Sequence, residues 1–501
     1  MSLLTSDQVH GLGTMAPSKN KLMPAILDLF NGGEIEHGLM GGRVLHYMPK
    51  NTTESQGPFH FDIPSGAENQ YLQLSGTRII GEIKLTTEDS IREIDHVAVP
   101  AATADNKVAR DALIERNKDI DLENASNKKC LVAGCNTFFH SLWRSIEIYV
   151  NGVQLASLNS NNFHYKAYIE HALSYSMDAA KNSTNDYFWP CGYTQNDYFV
   201  KTGMDVNKGN VNTGPLEERF TKAFSDQDNI KPIKFCIPLS CDFFSTTKLL
   251  PSGIDLRITL QRNPDNVSLM YDANELKTYK IEIPSLKLAM RTVDVEPSVV
   301  KEHREQFAKG ALATYPFTKT VLKTFPLATK DTLVNIPGIN KGILPETVVI
   351  GWVKTAAFNG AKNLDPFCFS PYGIQNYTFM RNGRVVTGYP YVFGTDDYTD
   401  SACQVMYKML LDNVGIKNEN TSLSFNSLDW AANCCFFVHD MSPDQDSSFI
   451  ERVPEQGEDS LSVRYDDSNV LPITIIAHNS YQTRYYVTGT PREIIVDNTG
   501  M

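Results

Sequence analysis

The chain has 501 residues, 42% hydrophobic and 21% charged, a composition typical of a globular rather than a disordered protein. It carries 46 Lys and Arg against 58 Asp and Glu, so its net charge of −12 argues against wrapping nucleic acid by bulk electrostatics. The sequence contains no apolar run long enough to predict a membrane-spanning helix, and its first residues lack the basic and apolar regions of a secretory signal.

The nine cysteines are an odd number and none are spaced as Cys-x-x-Cys. Without a secretory signal, this pattern predicts reduced and buried thiols, not a disulfide framework or a zinc site.

Most of the chain consists of short β-type segments separated by turn signals. Phe59–Pro64 alternates apolar and polar residues, and Tyr71–Gly76 and Ile79–Leu85 follow as two more strands. Asn151-Gly152 lies between alternating apolar residues and predicts a type I′ hairpin turn. Similar β-type segments occur at 254–260, 280–283, 286–290, 347–353, 377–386, 434–438, 473–477 and 485–487. The pattern predicts a β-dominated fold.

Three segments have helical patterns. Phe163–Tyr175 places aromatic residues and alanine on one stripe, and Thr399–Val414 has a capping box at its start and Gly415 at its end. Pro297–Ala313 opens with proline, is rich in charge, and lies near the middle of the chain, which indicates a connection between two domains. The charged stretch 105–129 predicts a solvated loop or an exposed helix inserted between strands.

The two halves of the chain repeat several features in the same order. Asn-Gly hairpins occur at Asn151 and Asn382, and each is followed by a tyrosine-bearing segment and then by a helix. A Pro-containing turn before a strand recurs at Pro251 and Pro454. Although each feature is common in β-proteins, their shared order predicts that one β-domain occurs twice.

No catalytic or phosphate-binding motif stands out. The densest histidine group is His140, His164 and His171, but no further ligand at fixed spacing accompanies it, which favours packing or hydrogen-bonding roles over a metal site. The four tryptophans lie among apolar neighbours and are predicted to be core residues, although a sugar-stacking platform is the alternative. The sequence therefore predicts no catalytic, cofactor-binding or metal-binding residues.

Several segments resemble the major capsid proteins of Maverick/Polinton elements and related adintoviruses. Phe61–Gly66 and Tyr71–Thr77 resemble the family's opening strands, and Asn136–Gly152 is similar to its most recognisable stretch, with Tyr165–Tyr175 following in order. The similarity continues through Val295–His303, Ala313–Pro316, Leu344–Val353, Asn359–Gly360 and Asp365–Phe367, so it spans roughly residues 55 to 450.

The resemblance implies an all-β double jelly roll, two eight-stranded antiparallel β-sandwiches with a few short helices. The expected division is an N-terminal arm over 1–54, a first jelly roll over 55–296, a linker helix over 297–313 and a second jelly roll over 314–501. Jelly rolls leave few strand edges exposed and tolerate long loop insertions, which suits a shell protein.

The same resemblance implies a structural major capsid protein that needs no cofactor and performs no catalysis. Three copies would form a pseudo-hexameric capsomer of an icosahedral double-stranded DNA virus or virus-like element, assembled in the host cytoplasm or nucleus. The expected partners are the chain itself as a homotrimer, neighbouring capsomers, and penton and minor capsid proteins, without sequence-specific nucleic acid binding. Two alternatives stay open: a carbohydrate-binding β-sandwich, and an enzyme of the cupin or hydrolase type built on the histidines named above.

Overall fold

The computed structural model describes residues 38–51, 57–88, 111–118, 132–155, 160–176, 232–271, 278–327, 332–386, 391–392, 401–416, 423–432, 434–442, 455–466, 472–489 and 492–496. Within these residues the chain consists mainly of antiparallel strands joined by short helices. This confirms the predicted all-β fold.

The first half of the chain forms two sheets that face each other. The strands are β1 (Leu39–Tyr47), β2 (Phe59–Ile63), β3 (Gln70–Glu88), β4 (Val132–Gly134), β5 (Trp143–Val150), β6 (Val153–Gln154), β7 (Ser160–Asn161), β8 (Ile233–Pro238), β9 (Leu249–Leu250), β10 (Leu256–Arg262), β11 (Leu269–Tyr271) and β12 (Thr278–Val295). One sheet has the strand order β1-β12-β3-β8, and β9 also pairs with β3. The other sheet has the order β2-β10-β5-β6, β7 also pairs with β5, and β4 and β11 form a separate pair.

The second half repeats this arrangement. Its strands are β13 (Ala313–Pro326), β14 (Leu333–Ile343), β15 (Thr347–Lys354), β16 (Ile374–Arg381), β17 (Arg384–Val385), β18 (Tyr391–Val392), β19 (Phe437–Asp440), β20 (Gln456–Tyr465), β21 (Ile473–Val487) and β22 (Ile494–Val496). The sheets have the strand orders β13-β21-β15-β19 and β14-β20-β16-β17, with β18 paired to β16 and β22 paired to β21.

The four strands on the main path of each sheet follow the same order in the two sandwiches. In each, the first strand pairs with the last long strand, and the third strand lies inside that sheet. Eight strands in two four-stranded sheets with these crossovers form a jelly roll, so the fold is a double jelly roll. The predicted duplication is therefore confirmed by the sheet topology.

The predicted hairpin turns are present in both sandwiches. Asn151 and Gly152 have φ values of 49° and 84°, and Asn382 and Gly383 have φ values of 51° and 75°. Positive φ at both central residues matches the right-handed twist of the flanking strands, as in a type I′ turn. Local turn chemistry thus sets the register at the same point of each sandwich.

The helices lie in the connections between strands. They are α1 (Phe138–Ser141), α2 (Phe163–Ser174), α3 (Asp265–Ser268), α4 (Pro297–Ala308), α5 (Thr355–Phe358), α6 (Ser401–Asn413) and α7 (Ser427–Ala432). Residues 111–118, inside the charged stretch, also form a mostly exposed helix. In the part of the chain that the structure describes, no helix is both long enough and apolar enough to cross a membrane.

Two sequence-based boundaries differ from the structure. The helix predicted over 297–313 ends at Ala308, because Gly310 adopts a φ of 84° and Ala313 already begins β13. The expected N-terminal arm, 1–54, contains β1, which pairs with β12 along most of its length. Sequence patterning missed β1 because it is an exposed edge strand with two glycines, and its side chains do not alternate between buried and exposed.

Each sandwich encloses its own aromatic-rich core. Trp143 lies in the first core, and Trp352 and Trp430 lie in the second; all three are essentially inaccessible to solvent. The prediction that they are core residues is confirmed for these three, whereas Trp189 lies outside the described residues. The prediction of buried thiols is confirmed for Cys135, Cys241, Cys434 and Cys435, whereas Cys236 and Cys368 are partly exposed.

Candidate functional site

The junction between the two sandwiches is built around α2. This helix precedes β8 in the first sandwich, yet its side chains are buried on nearly every side, because the second sandwich covers the face that points away from the first core. Tyr168 stacks on Phe367 with ring centroids 4.6 Å apart, and Tyr165 stacks on Phe358 at 5.5 Å. Such pairs add to the area buried between the two halves.

The start of β13 supplies the other side of the junction. Tyr315 and Phe317 are 4% and 3% exposed and pack into the core cluster of the first sandwich. Tyr315 stacks on Tyr485 at 4.8 Å and donates a hydrogen bond of 2.8 Å to the carbonyl of Leu249. Phe243 contacts the same Tyr485 ring at 5.4 Å. These contacts hold β13 and β21 against β9 and the turn at Phe243 of the first sandwich.

A buried charged cluster lies in the middle of this junction. The Lys166 ammonium group is 2.7 Å from a Glu170 carboxylate oxygen and 3.0 Å from Asp242, and its side chain is only 3% exposed. Across the junction, the Thr320 backbone N–H donates to Asp242 at 2.7 Å, and His478 Nε2 lies 3.6 Å from Glu170. Two carboxylates of the first sandwich therefore contact strands of the second, and the Lys166 ammonium group lies between these carboxylates.

The charges of this cluster are mutually dependent. Burial on its own lowers the pKa of Lys166, but the Asp242 and Glu170 carboxylates outweigh it and raise that pKa above its ordinary value. Burial opposes ionisation of Glu170, yet Lys166 and His478 lower its pKa to about 2. Burial, reinforced by the Glu170 charge, raises the pKa of Asp242. The Lys166–Glu170 pair is thus ionised at neutral pH.

The three histidines singled out in the sequence are buried near this junction. The rings of His140 and His171 meet edge to face at 4.7 Å, and Ser240 Oγ lies 3.4 Å from His171 Nε2. His164 instead packs against Tyr165 and Phe367. Burial lowers the pKa of His171 to about 4 and of His164 to about 3, and lowers that of His140 well below its usual range.

These histidines pack in the interior and do not converge on an open site. Within the described residues, no group of three or more His, Cys, Asp or Glu side chains is placed to hold a metal ion. The arrangement therefore gives no support to the enzyme alternative.

A cavity of about 600 Å³ lies beside α4, where this helix meets the starts of β1 and β13. Its lining is largely apolar and includes Val299, Phe307 and Leu312. Several of its polar side chains pair with one another or with the backbone: Tyr71 Oη lies 3.0 Å from His303 Nδ1, and the Lys248 ammonium group donates to the Thr314 carbonyl at 2.8 Å. Among the described residues, the lining contains no carboxylate and so lacks the paired groups of a general acid–base site.

The carbohydrate-binding alternative also loses its support. Sugar stacking needs an accessible aromatic face, whereas Trp143, Trp352 and Trp430 have 0 to 1% of their surface exposed. The large hydrophobic side chains that are exposed are mainly aliphatic and include Met40, Val44 and Met48 in or next to β1. An aliphatic surface of this kind is typical of protein–protein contacts.

Comparison with known proteins supports the fold across nearly the whole chain. No family model matches the sequence. The chain is 22% identical over 432 residues to the uncharacterized protein F54H12.2 of Caenorhabditis elegans, covering 84% of this chain and 88% of that protein. A chain in the cryo-EM structure of the Sputnik virophage superposes with a TM-score of 0.57 at 11% identity, covering 97% of this chain and 94% of that one.

A second similar structure is PBCV-1 VP54 fitted into a reconstruction of the virophage Sputnik, with a TM-score of 0.53 at 9% identity, covering 94% of this chain and all of that one. A chain of the PBCV-1 virus capsid matches with a TM-score of 0.51 and the same coverage. At these identities the similarity establishes the fold, a double jelly roll shared with viral capsid proteins.

Proposed function

We propose that the chain is the major capsid protein of an icosahedral double-stranded DNA virus or of a virus-like transposable element. The observation that carries this proposal is the presence of two jelly rolls with identical strand order in one chain, a fold shared with capsid proteins of the Sputnik virophage and PBCV-1. Since a fold alone hosts many functions, the sequence motifs that resemble Maverick/Polinton capsid proteins provide separate support.

The proposed assembly unit is a homotrimer with a pseudo-hexagonal outline. A trimer has six similar domains around its symmetry axis only if each chain contributes two of them. The two sandwiches of this chain meet that requirement. The proposed partners are other copies of the chain in neighbouring capsomers, together with penton and minor capsid proteins. The proposed location is the virion shell, with assembly inside the host cell.

The Maverick/Polinton assignment is the finer part of the proposal. It rests on the sequence motifs between residues 55 and 450 that resemble those capsid proteins. For the domain division, we propose a first jelly roll that begins at β1, a linker that includes α4, and a second jelly roll that begins at β13.

The experiment that tests this function is the solution mass of the purified protein, measured by light scattering after size exclusion. The expected value is three times the 56.1 kDa of the chain, independent of concentration. A stable monomer at every concentration would contradict the trimeric capsomer.

A further inference from the structure

The cavity beside α4 has an apolar lining that is partly exposed to water. Leu39 and Leu312 line it and are 52% and 49% exposed, and Val299 and Phe307 of α4 are only partly buried. Apolar side chains left exposed around one cavity mark a place where further apolar groups bind. A volume of about 600 Å³ is within the range of pockets that enclose a whole small ligand, so several large side chains can enter it.

The chain enters the described structure at this cavity. Gly38 lines the cavity, and its carbonyl accepts a hydrogen bond of 3.0 Å from the backbone N–H of Glu296, the residue before α4. Leu39, the next residue, pairs with Val295 at the end of β12. The 37 residues that precede Gly38 therefore join the folded chain beside the start of α4.

The sequence just before Gly38 is apolar and acidic. Residues 22–30 read Leu-Met-Pro-Ala-Ile-Leu-Asp-Leu-Phe, with one charged residue among nine. Residues 22–37 contain three acidic residues, Asp28, Glu34 and Glu36, and no Lys or Arg. Such a segment is complementary to an apolar cavity with a basic edge, because its apolar groups leave water and its carboxylates approach cations.

The edge of the cavity is basic. Lys248 and His303 line it, and the lining contains no Asp or Glu among the residues that the structure describes. The Arg492 guanidinium group lies 5.2 Å from the centre of the Phe307 ring, and its Nη1 atom is buried without a hydrogen-bond partner in the described part of the chain. A buried guanidinium nitrogen without a partner is costly, so this atom is a site for a carboxylate.

The connection between the apolar run and Gly38 is long enough to reach the whole cavity. α4 has 12 residues and is about 18 Å long at 1.5 Å per residue. Residues 31–37 span up to about 25 Å when extended, which is enough to bring residue 30 to the last turn of α4 at Phe307. Because both partners belong to one chain, the contact needs much less intrinsic affinity than a contact between separate molecules.

We propose that residues 22–30 bind in the cavity beside α4 of the same chain, with a carboxylate of residues 22–37 on Arg492. The occupant is this segment because the chain enters at Gly38 and because its charge is opposite to that of the cavity edge. The contact fastens the N-terminal segment to the connection between the two sandwiches, since the cavity is lined by both α4 and the start of β13. The inference does not depend on the proposed capsomer, so its failure would leave the proposed function unchanged.

Photo-cross-linking of the full-length protein tests this contact. Phe30 is replaced by the photoreactive amino acid p-benzoylphenylalanine, which keeps an aromatic ring, and Leu4 is replaced in the same way as a matched control. After irradiation, mass spectrometry is expected to find position 30, but not position 4, linked to residues that line the cavity.

A second substitution distinguishes binding from mere proximity. Leu312→Asp places a carboxylate in the apolar lining and should weaken the contact at least about tenfold, which lowers the cross-link yield at position 30. Leu333→Asp is the control, because Leu333 is 59% exposed on β14 and does not line the cavity. It should leave the yield unchanged. Thermal unfolding of each variant checks that these substitutions at exposed positions leave the sandwiches folded.

Three results would overturn the inference. The first is the lack of any link between position 30 and the cavity. The second is a yield that Leu312→Asp leaves unchanged, because a segment that is only tethered nearby would give that result. The third comes from mixing the protein with isotopically labelled wild-type protein before irradiation: links to the labelled cavity would mean that a second copy supplies the segment.

Discussion

The buried Lys166 cluster is predicted to determine much of the stability of the junction. Lys166→Met retains the length of the side chain but removes the ammonium group that Glu170 and Asp242 share. Removing one partner of a buried ion pair costs about 3–5 kcal/mol, because the remaining charge is buried without compensation. Glu170 is 29% exposed and water screens part of its charge, so we place the expected loss near the lower end, about 3 kcal/mol.

A helix of the second sandwich, α6, supplies a matched control. Lys408 and Asp412 on α6 form an ion pair at 2.9 Å with the same i, i+4 spacing, but their side chains are 52% and 42% exposed. Exposed helical pairs contribute about 0.3–0.5 kcal/mol, so Lys408→Met is expected to change the free energy of unfolding by no more than that.

Urea unfolding followed by tryptophan fluorescence measures both changes, at one protein concentration because association shifts the transition. The double variant Lys166→Met/Asp242→Asn is expected to recover part of the loss, since it leaves one fewer buried carboxylate unpaired. A loss below 1 kcal/mol for Lys166→Met, or equal losses for Lys166→Met and Lys408→Met, would refute the account of the junction.

Two further predictions concern pH and packing. Stability should decline as the pH falls from 6.5 towards 4, because the unfolded chain binds a proton at His171 that the folded chain, with its pKa of about 4, does not. His171→Gln should remove up to about 1.4 kcal/mol of that decline per pH unit, measured as urea midpoints at pH 7, 6 and 5; an unchanged slope would contradict the assignment. Gly351→Ala should lower stability by about 1–3 kcal/mol in thermal unfolding, because the added Cβ would lie 2.6 Å from the Phe369 ring. Gly41→Ala, whose nearest contact would be 3.7 Å away, should have a smaller effect, and equal effects would contradict this reason.

Features that depend on neighbouring residues were predictable from the sequence. The Asn-Gly turns, the strands on either side of them and the helix at Phe163 follow from local conformational preferences and from alternation. Their repetition at Asn382 indicated the duplication before any sheet order was known. The end of the helix at Gly415 was also predictable, and that glycine adopts a φ of 89°.

Features that depend on distant residues were not predictable. Lys166, Asp242 and His478 are far apart in the chain, and no spacing indicates that the junction brings them together. α2 reads as a helix with a single aromatic stripe, yet the second sandwich buries its remaining faces. β1 was missed because nearly all of its side chains are exposed and two of its residues are glycines, so the sequence lacks the alternation of a half-buried strand.

The most direct test of the capsid account is cryo-electron microscopy of the purified oligomer, viewed along its symmetry axis. The account predicts three copies whose six sandwiches form a ring, with the second sandwich of each copy against the first sandwich of the next. A two-fold dimer, or a ring in which the second sandwich of one copy does not contact the first sandwich of its neighbour, would contradict it.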